Sequence, residues 1–269
     1  MSNVLIAFLL TAVAGLSTGI GSAIAFFSKH SNKKFLSLSL GFSAGVMIYV
    51  SFVELFQGSI NTLSISYGNK LGLLYAILAF FGGMLFIGII DKLIPEITNP
   101  HEQHLIEDMN IEQKQEMEKK HLMRSGTMTA LAIAIHNFPE GMATFVSALQ
   151  EPNVAIAIVV AISIHNIPEG ISVSVPIYYA TGSRKKAFLF SFASGLAEPL
   201  GAIIGYLILM PYLNDATYGV LFGIVAGIMI FISVDELLPS AREYGEHHLS
   251  IYGLVLGMAI MAASLWLFV

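Results

Sequence analysis

Residues 136–141 read His-Asn-Phe-Pro-Glu-Gly, and residues 165–170 read His-Asn-Ile-Pro-Glu-Gly. Each copy lies in the middle of a long apolar segment. An ionisable side chain at the centre of a bilayer costs at least a few kcal/mol, so two copies point to a site rather than to chance. Each copy offers an imidazole, an amide and a carboxylate. On a helix His136 and Glu140 share one face, as do His165 and Glu169, while Asn137 and Asn166 fall about 100° away on the neighbouring stripe. Pro139 and Pro168 lack an N–H and leave the carbonyls of Ile135 and Ile164 without a helical partner. Lipid tolerates such carbonyls only where the helix faces protein or a wet cavity.

The surrounding composition agrees with burial in lipid. Hydrophobic residues make up 55% of the 269, charged residues only 12%, and mean hydropathy is +0.75; a soluble domain carries about 25% charged residues. Apolar stretches of membrane-spanning length lie near 4–27, 36–57, 71–94, 126–149, 153–178, 187–209, 217–238 and 250–268, each close to the roughly 20 residues a span needs. They lack period-two alternation. The expectation is an all-α integral membrane protein of eight helices in one domain, residues 1–269, with no cleaved leader because no basic stretch precedes the first apolar run. The net charge of −5 leaves no basic face for nucleic acid, and the absence of cysteine removes disulfides and thiolate ligands. Any metal must be held by nitrogen and oxygen.

Positive charge sets the orientation. Lys29, Lys33, Lys34, Lys92, Lys114, Lys119, Lys120, Arg124, Arg184, Lys185, Lys186 and Arg242 all fall in loops on one side of an eight-helix path. Of the 13 lysines and arginines, only Lys70 falls on the other. Both termini are expected outside. Residues 95–125, bounded by Pro95 and Pro100 and rich in Glu, Gln and Lys, are expected to form a cytosolic hydrophilic loop, disordered in part or with a short solvated helix. That loop carries His101, His104 and His121, more simply read as solvated linker histidines than as a metal buffer.

The chain also repeats on a larger scale. Ala7–Leu9, Gly15, Leu16 and Gly21 match Ala187–Leu189, Gly195, Leu196 and Gly201. Gly41, Ala44, Gly45, Met47, Ile48, Ser51, Glu54 and Leu55 match Gly223, Ala226, Gly227, Met229, Ile230, Ser233, Glu236 and Leu237. Gly83-Met84 matches Gly257-Met258. Members of each pair run in opposite directions through the bilayer. The expected plan is a 3+2+3 inverted repeat, common among secondary transporters, with its site at the midplane. Gly15/Gly19, Gly41/Gly45, Gly201/Gly205 and Gly223/Gly227 read as close helix contacts.

His136 and His165 lie about ten and twelve residues into their helices, roughly 15–18 Å deep in a ~30 Å core. Two imidazoles and two carboxylates suit a four-ligand Zn²⁺ shell. They also suit Fe²⁺, Mn²⁺, Co²⁺ and Cd²⁺, so the residues do not choose the metal. The amides and shared carboxylates are available to a second ion, and Glu198, before Pro199 halfway along helix 6, suits a bridging or second-ion role. The bland alternative is that these groups only pair with one another to lock helices together. Glu54 toward one mouth, and Asp91, Asp235 and Glu236 toward the other, are candidates for gathering or relaying cations, or simply sit in contact with interfacial water. His247 and His248 read as solvated loop residues, Met47 and Met229 as packing, and Trp266 as an interfacial anchor.

On these features the chain resembles the ZIP (Zrt/Irt-like) family of divalent metal transporters over essentially its whole length, and the second His-Asn copy resembles the prokaryotic ZupT-like branch. The resemblance implies a binuclear transport site. His136, Glu140, His165 and Glu169 would hold one ion; Asn137, Asn166 and Glu198 would hold the other, with Glu140 and Glu169 bridging. It further implies import of zinc, with broad metal tolerance, across a prokaryotic cell membrane. The partners are then divalent cations and the lipid bilayer, with a homodimer left open and no catalytic cofactor. A selective channel with the same site remains the nearest alternative. An intramembrane zinc hydrolase is disfavoured because His-Glu-x-x-His is absent. Imidazole binds metal only when neutral, so uptake should weaken as pH falls through about 6.

Overall fold

The computed structural model describes residues 3–27, 33–93, 111–150, 152–212, 214–244 and 247–268. Those residues form eight helical rods with no strand among them. The first is α1, Asn3–Phe27. In α2, Lys33–Val50 passes through a π turn, Ser51–Phe56, into Gln57–Tyr67. Then come α3, Asn69–Leu93, α4, Ile111–Gln150, and α5, Pro152–Thr181. In α6, Arg184–Gly195 and Ala197–Ile204 are joined at Leu196 and followed by a π turn, Gly205–Leu209, and a short 3-10 segment, Met210–Tyr212. In α7, Asp215–Ile232 passes through a π turn, Ser233–Leu237, into Leu238–Tyr244. The last is α8, His247–Phe268.

Six rods, α1, α2, α3, α6, α7 and α8, are long and apolar enough to cross a membrane among the described residues. The other two, α4 and α5, carry the two motifs. They are continuous helices of 40 and 30 residues with Pro139, Pro168 and Pro176 inside them. The protein is a multi-pass, all-α membrane protein.

Local chemistry explains where the helices stop. Gly68, with φ of 78°, ends α2 and donates its N–H to Ser64 O at 2.9 Å. Gly182, with φ of 64°, ends α5 in the same way on Tyr178 O at 2.7 Å, a left-handed position that glycine occupies without strain. Asn214 caps α7, accepting from Thr217 N at 2.9 Å and donating its own N–H to Thr217 Oγ1 at 3.3 Å. Helix α2 runs about ten residues past its expected end because Ser59 Oγ, buried, donates to Gly219 O of α7 at 2.6 Å and keeps that polar stretch docked. The expected cytosolic loop is helical from Ile111 onward and continuous with α4; Glu116 and Lys120 pair there at 2.9 Å, both exposed. His101 and His104, and the side chains of His121 and His247, lie outside the described residues.

Glycine sets how the rods pack. A Cβ at Gly21 of α1 would fall 1.9 Å from Ile167 O of α5, and one at Gly201 of α6 would fall 2.0 Å from Phe138 O of α4. A Cβ at Gly83 of α3 would meet Ile224 O of α7 at 2.1 Å, and one at Gly257 of α8 would meet Phe42 O of α2 at 2.1 Å. In each couple the two contacts join positions that the sequence repeats match. Interhelical glycine approaches of this kind stay inside one of two groups, α1/α4/α5/α6 or α2/α3/α7/α8. Between the groups the contact is made by side chains, among them Val50, Leu55, Val225 and Met229 facing Ala143 and Ile162. The packing thus draws its boundary across the sequence repeats rather than along them.

Candidate functional site

The polar residues of the two motifs converge inside the α1/α4/α5/α6 group, on its side nearest α2. His165, Asn166, Glu169 and Glu198 are fully buried, Asn137 likewise, and Glu140 is 2% exposed. The side chain of His136 lies outside the described residues. His165 Nε2 of α5 lies 3.2 Å from Glu140 Oε1 of α4. Asn166 Nδ2 donates to Glu198 Oε1 of α6. Glu169, one turn beyond His165 on α5, is buried in the same layer. Three helices, α4, α5 and α6, therefore share one polar centre, and the structure brings together five of the seven residues singled out above: Glu140, His165, Asn166, Glu169 and Glu198. Asn137 belongs to the same layer through α6, donating from Nδ2 to Ser194 O at 3.3 Å.

The backbone explains why these groups meet. A Cβ at Gly141 would lie 2.1 Å from Glu198 O, and one at Gly170 would lie 1.9 Å from Thr18 O. The glycine ending each motif thus lets a neighbouring helix press directly on the turn that carries the carboxylate. The break at Leu196 lies just ahead of Glu198; Pro199 has no N–H to offer Gly195 O, and that carbonyl faces Gly15 of α1. Glu198 is left in the first turn of the second α6 segment, pointing at α5. The amides play matched parts: Asn166 Nδ2 reaches Ala14 O of α1 at 3.0 Å, as Asn137 Nδ2 reaches Ser194 O. Asn137 Oδ1, Asn166 Oδ1 and Glu198 Oε2 are buried acceptors without a hydrogen-bond partner.

Three features escaped the sequence reading. Ser43 of α2, fully buried, puts its hydroxyl 3.4 Å from Glu169 Oε1 and 3.5 Å from His165 O, touching the centre from the other helix group. The π turns of α2 and α7 occupy matched positions, and each opens on a serine whose hydroxyl bonds the carbonyl four residues back: Ser51 to Met47 O at 2.6 Å, Ser233 to Met229 O at 2.7 Å. Such back-bonding bends a helix, and a π turn re-aims the side chains it carries, commonly at functional sites. The repeat of Ser51 with Ser233 was the available signal.

The re-aimed residues are the secondary candidates. Glu54, in the α2 π turn, lines a cleft with Glu140, Thr144, Ser147, Val225 and Met229. Asp235 and Glu236, in the α7 π turn, join Asp91 of α3, with one carboxylate oxygen from each lying within 4.8 Å of the others; Asp91 and Glu236 line a second cleft with Ile135 of α4. Along α4, Ile135 precedes Glu140 by more than a turn and Ser147 follows it by two, so the clefts flank the polar centre on opposite sides. Both lie on the seam between the helix groups. Among the described residues the central histidine and glutamates are not drawn together as tightly as the Asp91/Asp235/Glu236 trio. His248 is exposed and stacks on Tyr252. Met47 and Met229 are buried in the core, and Trp266 is 76% exposed.

Chemically the centre presents three desolvated carboxylates, an imidazole and free amide oxygens. Each isolated buried carboxylate costs several kcal/mol unless a cation, a proton or donors compensate it. Hard and borderline divalent cations are the ligands for which oxygen and imidazole donors of this mixture are suited.

Comparison with known proteins agrees. Residues 96–265 match the family model described as ZIP Zinc transporter. The chain is 64% identical to a protein named Zinc transporter ZupT from Streptococcus mutans, covering 98% of this chain and 97% of that one. It is 61% identical to one so named from Clostridium perfringens, covering 100% and 98%, and 55% identical to another from Nitratidesulfovibrio vulgaris, covering 99% and 98%.

Proposed function

The chain belongs to the ZIP zinc transporter family, and on that premise we propose that it carries zinc and related divalent cations into the cytosol through the buried centre between α4, α5 and α6. It is a transporter, not an enzyme. His136, Asn137, Glu140, His165, Asn166, Glu169 and Glu198 are the ligands in this reading, in a two-ion arrangement in which Glu140 and Glu169 serve both ions. The observation that carries it is the meeting of Glu140, His165, Asn166, Glu169 and Glu198, all but sealed from solvent, on the seam between two helix groups.

The matched glycine contacts support an eight-span, 3+2+3 inverted repeat, and the lysine and arginine distribution supports outside termini. In that orientation the Glu54 cleft is the outer approach and the Asp91/Asp235/Glu236 cleft the inner one. A hydrated ion enters past Glu54, exchanges water for imidazole and carboxylate, and leaves past Asp91 and Glu236. Movement of the α1/α4/α5/α6 group against α2/α3/α7/α8 opens one cleft as it shuts the other. The test is uptake into proteoliposomes with Zn²⁺, Cd²⁺, Fe²⁺, Mn²⁺ and Co²⁺, comparing wild type with Glu140→Ala. Saturable uptake that the substitution reduces to background is expected. A variant that transports every ion as well as wild type overturns the ligand assignment.

A further inference from the structure

Helix α1 carries a buried group that the site described above does not use. Thr18 is fully buried, and its Oγ1 has no hydrogen-bond partner. The interval that matches Gly15 with Gly195 and Gly21 with Gly201 also matches Thr18 with Glu198. Their backbone surroundings correspond. A Cβ at Gly195 of α6 would fall 2.9 Å from Thr18 Cβ and Oγ1, and one at Gly15 of α1 would fall 3.0 Å from Glu198 Cβ. Gly170 of α5 packs on Thr18 O as Gly141 of α4 packs on Glu198 O. Ala14 O, one turn before Thr18, accepts from Asn166, and Ser194 O, one turn before Glu198, accepts from Asn137.

One contact breaks the match. Glu198 extends to the amide of Asn166. Thr18, two atoms shorter, makes no such bond to Asn137, and both Thr18 Oγ1 and Asn137 Oδ1 are left as buried acceptors without partners. An unsatisfied buried hydroxyl is a cost that packing alone does not require, since valine has the same shape.

We propose that Thr18 is the counterpart of Glu198 across an approximate two-fold axis, and that its hydroxyl together with Asn137 Oδ1 forms a neutral oxygen subsite for the divalent cargo. This rests on the transport reading given above and deepens it. The polar centre then has one charged corner, Asn166 with Glu198, and one neutral corner, Asn137 with Thr18. The neutral corner holds an ion through weaker dipolar oxygens, so a carboxylate moved there tightens binding at the expense of release.

The test is a calorimetric titration of the purified full-length chain in detergent with Cd²⁺ and Zn²⁺. Thr18→Val is expected to bind the second ion about fivefold more weakly, the loss of one oxygen contact, with the first ion unchanged and the metal-free melting temperature no lower than that of wild type. Glu198→Thr is expected to lose the second ion, and the exchanged pair Thr18→Glu with Glu198→Thr to regain it. Thr18→Glu alone is expected to lower both KM and kcat for uptake. Thr18→Val binding both ions as wild type does, with or without a gain in thermal stability, overturns the proposal, and this single substitution decides it even where the exchanged pair does not fold. An exchanged pair that melts as wild type does yet binds one ion also overturns it. Neither result touches the transport reading, which fails separately if Glu140→Ala binds and transports as wild type does. A wild type that takes up a single ion overturns the two-ion reading and this subsite together.

Discussion

At the scale of single residues, the tightest constraint on the centre comes from glycine. Gly170→Ala would place a Cβ 1.9 Å from Thr18 O, and Gly141→Ala would place one 2.1 Å from Glu198 O. A backbone oxygen cannot step aside as a flexible side chain can, so each change is expected to cost about 1–3 kcal/mol of stability. Thermal melting in detergent measures it, and Gly82→Ala, with nothing within 4 Å, serves as the unchanged control. The pH response also belongs here. The imidazole must be neutral and the carboxylates ionised to bind a cation, so protons compete with metal and initial uptake should decline as pH falls through about 6. Uptake that climbs steadily below that pH contradicts a simple competition. The motif residues were legible in the sequence because histidine, asparagine and glutamate deep in an apolar run are rare. Ser43 and Thr18 were not, because hydroxyls are common in membrane helices and only their position relative to neighbouring helices marks them.

At the scale of elements, the π turns of α2 and α7 are features the hydropathy pattern does not encode, since one wider turn shifts the register without changing how apolar the stretch is. Their matched serines are the sequence feature the two turns share. Ser51→Ala and Ser233→Ala remove the hydroxyls that hold Met47 O and Met229 O. Each is expected to slow transport several-fold while leaving helicity by circular dichroism unchanged, because the carboxylates of Glu54, Asp235 and Glu236 lose their aim. Helix ends were partly legible. Gly182 follows directly on the end of α5, whereas α2 ran past the apolar stretch because a tertiary bond from Ser59 held it. The extension of α4 before residue 126 is a different case. The hydrogen bond from Lys120 holds the Glu116 carboxyl below its usual range, so its contribution is present above the ordinary carboxylate pKa and fades as pH falls. Both groups are well exposed, and Lys120→Ala should leave the melting temperature unchanged.

At the scale of the whole molecule, sequence repeats and packing divide the chain differently. The repeat units run α1–α3 and α6–α8 on either side of α4 and α5; close packing instead gathers α1, α4, α5 and α6 apart from the rest. The helical segments and the meeting of the motif residues between α4, α5 and α6 could be read from hydropathy and motif. The grouping could not, because it depends on which carbonyl each glycine faces. The absence of cysteine gives a clean background for testing it. Ser147 Oγ of α4 lies 3.4 Å from the Tyr218 hydroxyl of α7, across the seam. Tyr67 of α2 and Tyr75 of α3 sit with ring centroids 5.0 Å apart inside one group. A short bis-maleimide tether, to which both cysteine thiols add, is expected to stop uptake when placed on Ser147→Cys with Tyr218→Cys. The same tether on Tyr67→Cys with Tyr75→Cys is expected to leave it intact. Equal inhibition by both would show that the groups do not move as units.

The carbonyl-to-glycine contacts carry a practical consequence for redesign. Inside either helix group there is no spare volume at the crossing points for even one methyl, so those surfaces act as fixed bearings. The seam is lined by ordinary side chains such as Val50, Leu55, Thr144 and Ile162, which exchange for others without displacing backbone. Efforts to retune cargo preference or turnover have their freedom along that lining, and changes at the glycine crossings will first be felt as a protein that no longer assembles.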